Sequence, residues 1–299
     1  MALAVMFAVL AAAANATASV LQRKAARREP DRGGLSLRML LDLARQPAWI
    51  GGIITILLGF ALQAAALAAG PILLVQPILI LEVGFTLLLS TLVFRSRLHV
   101  REWVAVLGMS AGVALLLVAF APRGGDTRNA PTAAWILGSV VTVMVAGLLT
   151  LFGHRSRDAR RAAFLGVAAG IWFGFTAALV AGVMAALAGG IGALAGTWQL
   201  YALVVAGPLG FFQLQNALRA GRLVASQPGL TLANPVASVG WGIAVFGDQV
   251  RGGAWIIAEV AGAAAVAVCT VLLARSPLLQ GEQGRSEQDA SPGQERAAR

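Results

Sequence analysis

Long apolar stretches alternate with short polar ones along most of the chain. Nine of them, at about 2–21, 49–69, 72–94, 103–121, 133–152, 162–188, 199–219, 222–246 and 254–274, approach the roughly 20 residues that carry a helix across a bilayer. The pattern predicts an all-α polytopic membrane protein with about nine transmembrane helices. Between the first two stretches, Leu37, Leu40, Leu41 and Ala44 share one helical face with Arg38, Asp42 and Arg45 off it, which predicts a short interfacial helix near 35–46. The end of the chain, 276–299, is polar and poor in aromatics and predicts a disordered cytoplasmic tail.

Composition agrees with that pattern. Of 299 residues, 58% are hydrophobic and only 12% charged, about half the charge of an ordinary soluble domain. The net charge of +10 would suggest nucleic acid if it formed a patch, but the basic residues sit in short connections between apolar runs. There they set topology. With the N-terminus outside, 20 basic residues fall inside, in the groups 23–45, 95–101, 155–161, 219–222 and 275–299, and only Arg123, Arg128 and Arg251 fall outside. The expected topology is therefore N-out and C-in, in a bacterial plasma (inner) membrane. MALAVMFAVLAAAANATASVLQRK has no basic residues ahead of its apolar run, so it reads as a span rather than a cleaved signal. The lone Cys269 allows neither an intramolecular disulfide nor a cysteine-based metal site.

The halves repeat. At an offset of 151, Phe60, Ala66, Leu67, Ala69, Gly70, Gln76 and Pro77 fall on Phe211, Ala217, Leu218, Ala220, Gly221, Gln227 and Pro228. After a one-residue slip, Phe94 and Trp103 match Phe246 and Trp255. The copies lie five spans apart, so they cross the membrane in opposite directions. This predicts two inverted repeats, at 1–121 and 133–275, an architecture of secondary transporters with a solute site near the midplane.

The Gln-Pro spans (GPILLVQP and GRLVASQP), the connection FGDQVRGGAW and the glycine-rich span resemble the drug/metabolite transporter superfamily of EamA-like proteins. The nine spans and the long basic segment after the first are similar to its NIPA-type magnesium transporter branch and bacterial relatives. That resemblance implies a carrier fold, with one span of a ten-span version reduced to segment 35–46. In the first half, FRSRLHVREW has Arg97 where the acidic residue of the connection would fall.

Glu82 is the residue on which the chemistry turns. A carboxylate near the centre of a span costs at least about 2.5 kcal/mol to insert, so it should face the bundle interior or water. Glu82, Thr86 and Ser90 make a polar line, as do Gln227, Thr231, Asn234 and Ser238 on the repeat-related span. Pro77, Pro228 and Pro235 free the carbonyls of Leu73, Val224 and Thr231, which then need a cavity, water or ligand. The expected solute or ion path comprises Glu82, Gln76, Pro77, Thr86, Gln227, Pro228, Thr231 and Asn234. Asn15, Gln63, Gln215, Asn216 and Glu259 form a second rank, with Ser19 and Gln213 beside them. The small-residue ladders Gly108–Gly112 and Gly166–Gly170–Gly174–Ala178–Gly182 are expected to serve packing.

No nucleophile–base pair, dinucleotide fingerprint or phosphate-binding loop is present in the sequence, so neither enzymatic activity nor a cofactor is expected. The expected function is secondary transport of a small metabolite or drug by alternating access, with proton coupling through Glu82 as one version. A divalent-cation transporter and a non-transporting scaffold are the alternatives, and a metal site stays open. Expected partners are the lipid bilayer and a small-molecule or ion substrate, not nucleic acid, with a homodimer left open.

Overall fold

A computed structural model describes residues 1–26, 46–94, 99–219 and 223–274. The basic segment at 27–45, Arg97 and the tail at 276–299 lie outside the described residues, as do the side chains of Gln227 and Pro228.

Helices dominate. They are α1 (Ala2–Ala26), α2 (Pro47–Ala69), α3 (Ile72–Leu79), α4 (Leu81–Phe94) and α5 (Val100–Phe120) in the first half. The second half has α6 (Thr132–Arg155), α7 (Asp158–Leu187), the short α8 (Ile191–Gly196), α9 (Trp198–Arg219), α10 (Leu223–Ala244) and α11 (Trp255–Ala274). Among the described residues, seven helical runs are long and apolar enough to cross a membrane: α1, α2, α3 with α4, α5, α6, α7 and α11. Helices α9 and α10 have 22 residues each, a comparable length, but carry more polar residues. The molecule is an all-α, multi-pass membrane protein.

Large apolar side chains such as Leu57, Leu107, Leu137 and Val204 point outward, which an aqueous surface would penalise and a lipid one rewards. Inside, small residues set the spacing. A Cβ on Gly170 would stand 2.6 Å from the Leu230 carbonyl oxygen, and one on Gly174 would stand 2.9 Å from that of Asn234. Backbone atoms cannot yield as a side chain can, so α7 lies directly on α10. Gly108 and Gly112 do the same for α5 on α11, against Cys269 and Val266. Both ladders are therefore packing surfaces.

The packing repeats between the halves. Helix α1 lies against α2 and the α3–α4 run, as α7 lies against α9 and α10, while the repeat mates α5 and α11 pack on each other. Helix α6 packs chiefly on α7. At one end of the bundle, β1 (Arg123–Gly124) pairs antiparallel with β2 (Asp248–Gln249), joining the α5–α6 and α10–α11 connections. Trp135, Trp198, Trp241 and Phe246 cluster there, with Trp135 5.2–5.4 Å from the other three ring centroids. The same end holds the start of α3, just after the C-terminus of α2, because Ile72 meets Gly242 beside Asp248. Since α9 begins in this end at Trp198 and α2 finishes there, these repeat-related helices run in opposite directions.

Candidate functional site

The α3–α4 run is broken at Ile80. Pro77 has no N–H to donate, and beyond it the Ile80 N–H bonds to the Pro77 carbonyl (3.2 Å) and the Val83 N–H to the Ile80 carbonyl (3.1 Å). Both are three-residue steps, a local tightening at the break. Gln76 lies just before it and Glu82 just after.

Glu82 is held from α1. The Asn15 amide donates a hydrogen bond to its carboxylate. The other end of that amide, Oδ1, lies against Gly59 of α2, so close that any Cβ there would collide with it. Gly84, two residues on from Glu82 and so on the other side of α4, packs on Val106 and Met109 of α5. The Glu82 carboxylate thus faces away from α5 and toward α1. Asn15, Gly59 and Glu82 all lie near the middle of their spans, where a solute site between inverted halves would fall.

Gln76 is 1% exposed, and neither Oε1 nor Nε2 has a hydrogen-bond partner within the described protein. Buried amides rarely stay unsatisfied, so Gln76 keeps hydrogen-bonding capacity that its protein neighbours do not use. Pro77 is buried beside it. Ile72 meets Gly242, and α3 and α10 run in opposite directions, so Gln76, one turn along α3, reaches the level of Ser238, one turn back along α10. Ser238 is fully buried, and its hydroxyl donates to Asn234 Oδ1 at 3.5 Å.

The other predicted residues are more dispersed. Asn234 turns its backbone toward α7, with its N–H and carbonyl against Gly170 and Gly174. Thr86 and Thr231 are half-buried. The Ser90 hydroxyl and Glu259 Oε1 are shielded without a partner. Gln213 donates to the Thr150 hydroxyl (2.6 Å) and so ties α9 to α6, while Gln63, Gln215 and Asn216 are half-buried on α2 and α9. The structure therefore brings Asn15 to Glu82 and sets Gln76 beside the break. No bond to Glu82 is seen from Asn234 or Thr231 among the described residues.

Two features went unassigned in the sequence. One is an open groove of about 670 Å³ between α6, α7 and α10, lined by residues such as Val141, Val145, Val167, Ile171 and Val236. Its lining is apolar and none of the predicted path residues borders it, so it suits lipid tails rather than a polar solute. The other is Asp248, the acidic residue of FGDQVRGGAW. It is 5% exposed and accepts the Leu73 N–H at the start of α3, which has no capping side chain of its own. Burial pushes its carboxyl up to about 6, and the Leu73 bond offsets part of that rise. Nearby Asp126, fully exposed, is held below the usual carboxylate range, first by the Asn129 amide and then by the Arg128 N–H.

These features define a multi-pass helical membrane protein with a partly buried polar pair between its helices. Within that class, the chain is 33% identical to a Corynebacterium glutamicum protein described only as uncharacterized, over 92% of this chain and 95% of the relative. It belongs to the same family as that protein. No protein-family profile matches the chain, and no solved structure matches it.

Proposed function

We propose that the protein is a secondary carrier that moves a small solute across the bacterial plasma membrane by alternating access. In this reading nine helices span the membrane, α9 and α10 among them, with the N-terminus outside and the C-terminus inside. The inverted halves rock about a midplane site, and the fold is that of an EamA-like drug/metabolite transporter. The observation that carries the proposal is the Asn15–Glu82 pair. A carboxylate at mid-span is costly, and this one is oriented by an amide that a bare glycine accommodates. A helix broken between Gln76 and Glu82 supplies polar atoms at the same depth.

Glu82 is the proton- or cation-exchanging group in this reading, and Asn15 positions it. Gln76, Asn234 and the carbonyl freed by Pro77 offer neutral contacts to the solute. The test is flux in proteoliposomes across imposed pH gradients, with amines, amino acids, nucleosides and magnesium as candidate cargo. Wild type should carry at least one class and be driven by the imposed pH gradient, and Glu82→Gln should no longer be driven by it. Magnesium as the sole cargo would favour the NIPA-type reading. A Glu82→Gln protein that transports as wild type does at every pH would remove Glu82 from the mechanism.

A further inference from the structure

Asp248 sits where three segments from both halves meet. Its Oδ1 lies against Gly125, in the connection after β1, where a side chain would collide with it. Gly125 has φ +75°, a conformation that also favours glycine. Its Oδ2 lies 2.6 Å from where a Gly242 Cβ would stand, in the space shared with Ile72. The carboxylate also accepts the Leu73 N–H, so one side chain of the second half holds the N-terminus of the broken first-half helix. Yet Oδ2 has no hydrogen-bond partner and is shielded from water. A protonated oxygen fits that apolar niche better than half of a carboxylate does.

Among the described residues, no charged partner of Asp248 is seen, and burial and the Leu73 N–H are what act on it. Helices α3 and α10 carry no ionisable residue. The backbone register of the β pair sets Gly124 opposite Asp248. Beyond it, Asp126 is bonded by Arg128 N–H and Asn129, and the Arg251 guanidinium lies over Trp255 with Nη1 directed to the Val118 carbonyl. The Phe120 carbonyl at the end of α5 accepts the Arg251 N–H.

We infer that Asp248 is a proton-binding latch. When protonated, it fastens the start of α3 to the β1–β2 connections and keeps this end of the bundle shut. When ionised, it lets the end open. The direction follows from linkage. Buried in the shut form, the carboxyl titrates at about 6, whereas in an open, hydrated form it returns toward its ordinary 3.8. The shut form therefore binds the proton more tightly, so its share rises as pH falls through about 6 and levels off near 4. Across that window the shut-to-open ratio changes by up to about a hundredfold. The inference deepens the carrier reading and rests on it for its physiological meaning, since protons arriving at this end would close it.

The test needs no cargo, so it can fail or succeed independently of transport. Spin labels would be placed on cysteines introduced at the exposed positions Ala68 and Gly252, with Cys269 replaced by alanine. Their separation in full-length protein in lipid nanodiscs would be read by pulsed electron resonance from pH 4.5 to 8. In wild type, the short-distance population should fall as pH rises, with a midpoint between about 4 and 6. Asp248→Asn, a mimic of the protonated form, should stay short throughout, and Gly242→Ala, which crowds Oδ2, should be long throughout. A pH-independent wild type, or an Asp248→Asn protein that keeps the wild-type transition, would overturn the latch.

Discussion

Gly59 admits no side chain, because the Asn15 amide occupies the space a Cβ would need. That makes it the most sensitive small residue near Glu82. Gly59→Ala should displace Asn15 and cost about 1–3 kcal/mol of stability, as overpacking does. Thermal unfolding in detergent would read the loss, and the pH dependence of any flux should change with it. Asn15→Ala would leave room at Gly59 but remove the bond to Glu82. It should unfold at a temperature closer to wild type than Gly59→Ala while still altering pH dependence. Equal stability losses in both, with unaltered pH dependence, would mean the trio only packs. Glu82 itself was legible in the sequence because a mid-span carboxylate is rare. Its pairing with Asn15, 67 residues away, was not, since periodicity on one helix says nothing about which face another helix presents. Asp248 was visible as part of a connection, but its burial depends on Gly125, Gly242 and Leu73 arriving from three directions.

Among the elements, the glycine ladders decide which helices touch. Gly174→Val should drive α7 from α10, because the opposing Asn234 carbonyl oxygen is 2.9 Å from the added Cβ. Gly147→Val, on α6 with open space at its Cβ, is the matched control. The first should lower the unfolding temperature by several degrees and the second should leave it near wild type. A similar loss in both would mean that ladder contact does not set stability. Seven of the nine apolar stretches coincide with helical runs long and apolar enough to span a membrane, one of them broken, because period and length suffice for single helices. The stretch at 72–94 reads as one span in the sequence, but the helix is interrupted at Ile80, where the chain beyond Pro77 tightens. The β1–β2 pair and α8 were missed, since two-residue strands and a six-residue helix carry no readable period. The interfacial helix expected at 35–46 falls, apart from Gln46, outside the described residues.

At the scale of the whole molecule, the proposed orientation is the first thing to test. The proposed topology puts Thr127 and Gly252 outside and Ser156 inside. Single cysteines at these positions should react with a membrane-impermeant maleimide in intact cells at 127 and 252, and at 156 only after lysis. The reverse pattern would invert the orientation and, with it, the side that the Asp248 latch faces. What neither repeat nor fold contains is the cargo, because that depends on a few polar atoms around Glu82 and Gln76. The central claim is that solute movement and Glu82 protonation are coupled. Its most direct measurement is the pH inside wild-type and Glu82→Gln proteoliposomes after a transported solute is added outside. Wild type should move protons as solute crosses, and Glu82→Gln should move solute down its gradient, if at all, with no pH change. Equal proton movement in the two proteins would contradict the account.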